Sequence, residues 1–372
     1  MKSPSFGKIL VRVPNWVGDA VMAEPALRHL RCFFANAHIA IVARPWVAGL
    51  YEGEGLADEI ITTNVRGVSG FISECRRLRE KGFDAAILLQ NAFGAALFAR
   101  GSGIRTVAGY PTDRRRLLLD PVIPLDPDHK KRHQVHYYLG IASFLESMVN
   151  GRNGLTVPGP ESLSSDDAVT PRLRATLDAR DRAASLLADE GIEGGGRTGA
   201  APLLVLNPGA TNSRAKRWLP QRFAEIADLI SAQIGFETAI IGTSADLELA
   251  KTVAGMMKTR AAVLAGKTDI SGLKGLLSLG SLLISNDTGA AHVAAALGVP
   301  TIAVFGPTEH FATHPYSVRA SVVRHEVECS PCMLRDCPID HRCMTRVQVH
   351  DVSRAVERLI GLSLPVGIRS IQ

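Results

Sequence analysis

Long apolar runs are missing from this 372-residue chain. None approaches the ~20 consecutive residues of a bilayer-spanning helix, so no transmembrane segment is expected. The amino terminus, Met1 to Lys8, runs into a strand pattern rather than the apolar core of an export signal, which points to a cytoplasmic protein. Aromatic residues are scarce at 5%, and none interleaves with the basic runs Arg114-Arg115-Arg116, Lys130-Lys131-Arg132 and Arg214 to Arg217. That argues against a single-strand nucleic-acid platform, and no nucleic-acid partner is expected. No Gly-x-Gly-x-x-Gly follows the first strand pattern, which disfavours a dinucleotide oxidoreductase.

What is present is the composition of a soluble globular protein, 46% hydrophobic and 21% charged, long enough for two cores. The net charge of +6 favours acidic partners such as phosphates or an anionic membrane face. Periodicity gives two successive α/β arrays. The first has strands at 8–13, 38–43, 84–89 and 106–109. A helix over 20–34 is kinked or restarted at Pro25, and others fall at 68–81, 93–100 and 133–148. Turn-rich composition around Pro158-Gly159-Pro160 and Gly194-Gly195-Gly196 marks a boundary, with one helix at 177–189. The second array has strands at 203–206, 238–241, 262–264, 281–284 and 301–305. Alternation of this kind implies parallel sheets with helices on both faces. The expected division is 1–170, a linker region 171–201, 202–350, and a carboxyl-terminal helix and tail, 351–372, free to fold back on the first domain.

Three loops follow carboxyl ends of strands, where open α/β sheets place ligands. In Pro14 to Asp19, Gly18 permits a tight turn, and Asp19 is either an N-cap or a carboxylate that accepts a proton from a substrate hydroxyl. In Asn207 to Trp218, Thr211 or Ser213 suits a phosphate and Lys216 neutralises developing charge, although the spacing is not that of a Walker A loop. The third loop, Asn286-Asp287-Thr288-Gly289, turns into a helix and aims backbone N–H groups at one point, a site for phosphate or pyrophosphate. Asp287 is either a cap or a partner for sugar hydroxyls, and His292, four residues beyond Thr288, shares the same face.

Taken together, these pieces resemble the heptosyltransferases, glycosyltransferase family nine. The likeness rests on Ile9 to Arg12 with Gly18-Asp19, Asn207-Pro208-Gly209-Ala210, Ala215-Lys216-Arg217-Trp218, Asn286 to Gly289 with His292, and Phe305-Gly306-Pro307-Thr308. The resemblance implies the GT-B fold: two Rossmann-like domains, an acceptor-binding one and an ADP-heptose-binding one, facing a central cleft. It implies inverting, metal-independent transfer of L-glycero-D-manno-heptose from ADP-heptose to the first heptose of the lipopolysaccharide inner core, at the inner face of the inner membrane. By position, Asp19 is the general base, Thr211, Lys216, Thr288 and Gly289 contact the diphosphate, and Asp287 and His292 lie beside the donor heptose. An acid on the ribose would be Asp246 or Glu248. A nucleotide-sugar epimerase of similar architecture, or a non-catalytic nucleotide-binding module, are the alternatives.

Four of the six cysteines, Cys329, Cys332, Cys337 and Cys343, fall within fifteen residues, with His325 and His341 nearby. In a reducing compartment such a cluster is either a closed structural zinc site or a set of free thiols.

Overall fold

The computed structural model describes residues 6–151, 166–194, 201–211 and 213–361. The chain divides into two compact units, Met1–Leu173 and Arg174–Gln372.

The first unit is built on β1 (Lys8–Arg12), β2 (His38–Ala43), β3 (Glu59–Thr62), β4 (Ala85–Leu88) and β5 (Thr106–Ala108), in the order β3-β2-β1-β4-β5. All neighbours are parallel. β1, β2 and β4 are buried along almost their whole length, because helices cover both faces and continuous apolar runs can then be shielded. The expected first helix is two helices, Val17–Met22 and Glu24–Phe33, and the second places Pro25 in its first turn, where no N–H is needed. β3 was not anticipated. It is a short edge strand with one buried residue among four, so it carries little hydrophobic signal.

The second unit holds β6 (Leu203–Asn207), β7 (Glu237–Ile240), β8 (Ala261–Val263), β9 (Leu282–Asn286), β10 (Thr301–Val304) and β11 (Ala320–Val323). Their order is β11-β10-β9-β6-β7-β8, again parallel throughout. β11 is the other unanticipated strand, also at an edge. One expectation about boundaries changes. The helix Leu177–Asp189 is not a linker: it lies in the second unit, against the helix Ile270–Leu279. Gly275 meets the backbone of Ala179 there so closely that a side chain would not fit. The last described helix is Val349–Ile360. It buries Val352, Ala355 and Val356 in the second unit's own core. The expected linker segments around 158–165 and 195–200, and the tail 362–372, lie outside the described residues.

Candidate functional site

In the second sheet the connections reverse direction between β6 and β9, and such a switch point opens a crevice at the carboxyl ends of the two strands. The last residues of both strands are asparagines that cross-link it. The Asn207 side-chain amide donates to Ser285 Oγ (3.1 Å) and Thr288 Oγ1 (2.8 Å). The Asn286 amide donates to the carbonyls of Pro208 (2.8 Å) and Gly209 (3.3 Å), while its Oδ1 accepts from the Trp218 backbone N–H (2.9 Å). The loops 207–218 and 286–289 are thereby fixed to one another by largely buried groups, which rigidifies their backbones. Trp218 anchors the far end: it is buried, packs edge-on against Phe223 at 5.1 Å and donates its indole N–H to Val347.

On this frame Lys216 closes a single 3-10 turn and reaches Asp287, Nζ to Oδ2 2.7 Å. Asp287 is buried and also accepts from Thr308 Oγ1 (2.7 Å). It therefore does not cap the following helix, Gly289–Ala296; the cap position is Thr288, whose hydroxyl is turned into the asparagine network instead. His292 is buried in that helix, and its pKa is pushed down to about 4, first by burial and then by the charges of His314 and Lys216, against the opposing pull of Asp287. It is neutral at physiological pH. Lys216, Asp287, Thr288, Gly289 and His292 are thus brought together.

Other expected residues sit differently. Thr211 is exposed. Ser213 Oγ stands 3.4 Å from the carbonyls of both Leu334 and Arg335, turned toward the cysteine-bearing segment. Asp246 is buried, accepts from the Thr243 backbone N–H and hydroxyl, and pairs with Arg217 (3.0 Å). Glu248 is exposed and pairs with Lys251 (2.9 Å), so of the two acids only Glu248 offers its carboxylate to solvent. Arg217, Asn207 and Asn286 stand in the motifs quoted above without a role of their own; for the asparagines, their places at the ends of two buried strands were the available signal.

In the first unit, Asp19 is half-buried in the first turn of Val17–Met22, whose cap is Trp16, so Asp19 is not the N-cap. Gly18 is helical and makes no special turn. Asp19 Oδ1 instead accepts from the hydroxyl of Tyr138 (3.0 Å), a fully buried phenol whose pKa is raised by burial and by the Asp19 charge. That places a neutral donor on one carboxylate oxygen and orients the other.

For Cys329, Cys332, Cys337 and Cys343 the sequence leaves a structural zinc site and free thiols open. Among the described residues no group of three or more metal-ligating side chains could hold an ion. Cys343 is buried beside Gly306 in the apolar core, and its thiol is pushed up to about 11 by burial and the other three cysteines, whereas Cys329 is exposed. The two histidines are committed elsewhere: His341 Nε2 to the Ala215 carbonyl (2.6 Å), His325 Nε2 to Asp351 (3.1 Å). The sequence has one Asp-x-Asp spacing, at Asp126 and Asp128, but these pair with Arg132 (3.0 Å) and Lys131 (2.8 Å).

A family model described as glycosyltransferase family 9 (heptosyltransferase) matches residues 72–342. Among curated proteins, lipopolysaccharide heptosyltransferase 2 of Escherichia coli is 28% identical over 325 residues, covering 85% of this chain and 88% of the relative. Lipooligosaccharide heptosyltransferase 2 of Campylobacter jejuni is 26% identical over 358 residues, 95% of this chain and 99% of its own length. Among solved structures, the Escherichia coli ADP-heptose heptosyltransferase II superposes with a TM-score of 0.77 at 25% identity, over 95% of this chain and 98% of that one.

Proposed function

This chain belongs to glycosyltransferase family 9, the heptosyltransferases, and from that premise we propose that it is a heptosyltransferase II. In this role it moves L-glycero-D-manno-heptose from ADP-heptose to the first heptose of the lipopolysaccharide inner core, with inversion. The observation that carries the proposal is the Lys216–Asp287 pair at the switch point, beside the amino terminus of Gly289–Ala296. A cation, a buried carboxylate and a helix start whose first N–H groups lack a side-chain cap are the parts a sugar diphosphate requires.

On donor binding, the diphosphate takes Lys216 from Asp287 and lies against the N–H groups after Thr288. Asp287, released, accepts from the heptose hydroxyls, and neutral His292 serves as a donor or acceptor beside it. The acceptor hydroxyl attacks the anomeric carbon from the opposite face. As that C–O bond forms, the bond to the diphosphate breaks, ADP leaves with the electron pair, and the proton passes to Asp19. Lys216 and the helix terminus bear the charge that a divalent metal carries in other transferases, so no metal enters the chemistry. The basic chain, with no described helix long and apolar enough to cross a membrane, suits a cytoplasmic enzyme working at the anionic inner face of the inner membrane. An epimerase or a non-catalytic module is not favoured, since the family is one of transferases.

Incubation with ADP-heptose and a core lipid truncated after its first heptose, followed by mass spectrometry, tests the proposal. A product one heptose heavier, formed with equimolar ADP, is expected. ADP release with no change in the lipid, or an isomerised sugar, would count against it.

A further inference from the structure

The first sheet also reverses direction, between β1 and β4, and the carboxyl ends there hold a cationic cluster for which the donor chemistry has no use. Arg12, the last residue of β1, is only 6% exposed. Its guanidinium donates to Gln90 Oε1 (2.8 Å), Thr63 Oγ1 (3.0 Å), the Val42 carbonyl (3.4 Å) and Asn15 Oδ1 (3.3 Å). All four acceptors are neutral, and one Nη2 hydrogen is left over. Arg44, one residue past β2, reaches the carbonyl of the same Thr63 (3.4 Å), and its Nε is buried without a hydrogen-bond partner. Neither arginine has a carboxylate partner among the described residues. Arg44 is close enough to repel Arg12, whose pKa burial and that repulsion lower to about 10.

Buried cations are ordinarily paired, and a buried Arg12 beside a half-buried Arg44, with only neutral acceptors, leaves a place where an anion is stabilised. The cluster adjoins the Asp19 loop directly. Asn15, four residues before Asp19, accepts from Arg12 through its side chain and from the Trp46 indole N–H through its carbonyl (2.9 Å). Trp46 is 52% exposed, and the Arg44 guanidinium lies over its ring at 5.9 Å, so that a cation and an exposed aromatic edge are presented together, which suits a charged sugar.

We propose that Arg12 and Arg44 form an anion subsite that binds a phosphate or carboxylate group of the acceptor saccharide and so presents its hydroxyl to Asp19. The inference rests on the transferase proposal and deepens it, by naming the two side chains that hold the acceptor's acidic group. Arg44 is the residue to vary, because Arg12 ties three strand ends together and its loss threatens folding.

Arg44→Gln and Arg44→Lys are to be compared with the parent enzyme for acceptor KM and donor KM, using the intact acceptor, a dephosphorylated one, and one whose carboxylates are converted to amides. Arg44→Gln is expected to raise acceptor KM about 10-fold with donor KM unmoved, and Arg44→Lys to recover part of the loss. The penalty should shrink on whichever trimmed acceptor lacks the recognised group, which tells phosphate from carboxylate. An unchanged acceptor KM in a folded Arg44→Gln enzyme, or an equal penalty on all three acceptors, overturns the subsite. Absence of transfer by the parent overturns the transferase proposal and the subsite with it.

Discussion

Lys216 and Asp287 satisfy one another in the unliganded protein, and this sets how each responds to substitution. A buried pair adds little net stability, but removing one partner strands the other charge. Lys216→Ala should therefore lower the melting temperature slightly, Thr308 still serving Asp287, and should also weaken transfer. The expected loss in kcat/KM for donor is on the order of 2–4 kcal/mol, measured well below the melting transition. Unchanged kinetics would remove Lys216 from the diphosphate. His292 gives a pH signature. Its folded pKa of about 4 lies below the ordinary histidine value of 6.5, so the unfolded chain binds the extra proton between these limits. Its contribution is complete above pH ~6.5 and is lost as pH falls toward 4, amounting to roughly 3 kcal/mol. Urea unfolding across this range should show that acid limb, and His292→Gln should flatten it; an equally steep limb in the variant would assign it to other groups.

The elements owe their positions to buried strands and the site to what those strands end in. Strands with four or five consecutive buried residues, such as β6, β9 and β10, were legible because parallel sheets covered on both faces demand continuous apolar runs. β3 and β11 were not, since edge strands bury one residue in four and look like loops. The loops were recognisable by residue type, but not the partnerships within them: spacing cannot say that Asp287 faces Lys216 rather than its own helix, or that Asp246 lies under Gly209. That last contact is tight. A Cβ on Gly209 would come 2.5 Å from the Asp246 carboxyl carbon, so Gly209→Ala must displace the carboxylate and with it Arg217. We expect a loss of about 1–3 kcal/mol in thermal or urea unfolding and a raised donor KM. A variant matching the parent in both would show that the loop is slack there.

For the whole molecule, two parallel α/β units were legible from alternation alone, and the affiliation of the linker helix was not, because it depends on a close backbone approach at Gly275. The cysteines show the same limit: spacing brings the four thiols near one another, and Cys343 feels the charges of the other three, but its burial in the apolar core beside Gly306 is decided by packing. If cations alone neutralise the leaving diphosphate, exhaustive EDTA treatment should leave the transfer rate within about twofold of the untreated enzyme, and a collapse restored by a divalent ion would contradict that.

The division of labour between the units is tested most directly at Asp19. Asp19→Asn retains size and the acceptor for Tyr138 but removes the basic oxygen. Transfer from ADP-heptose to the core acceptor should be measured under single-turnover conditions, alongside calorimetric binding of the donor. The account predicts a folded variant with near-parental donor affinity that transfers at least ~100-fold more slowly. Transfer at close to the parental rate would contradict it, because the proton would then leave by another route.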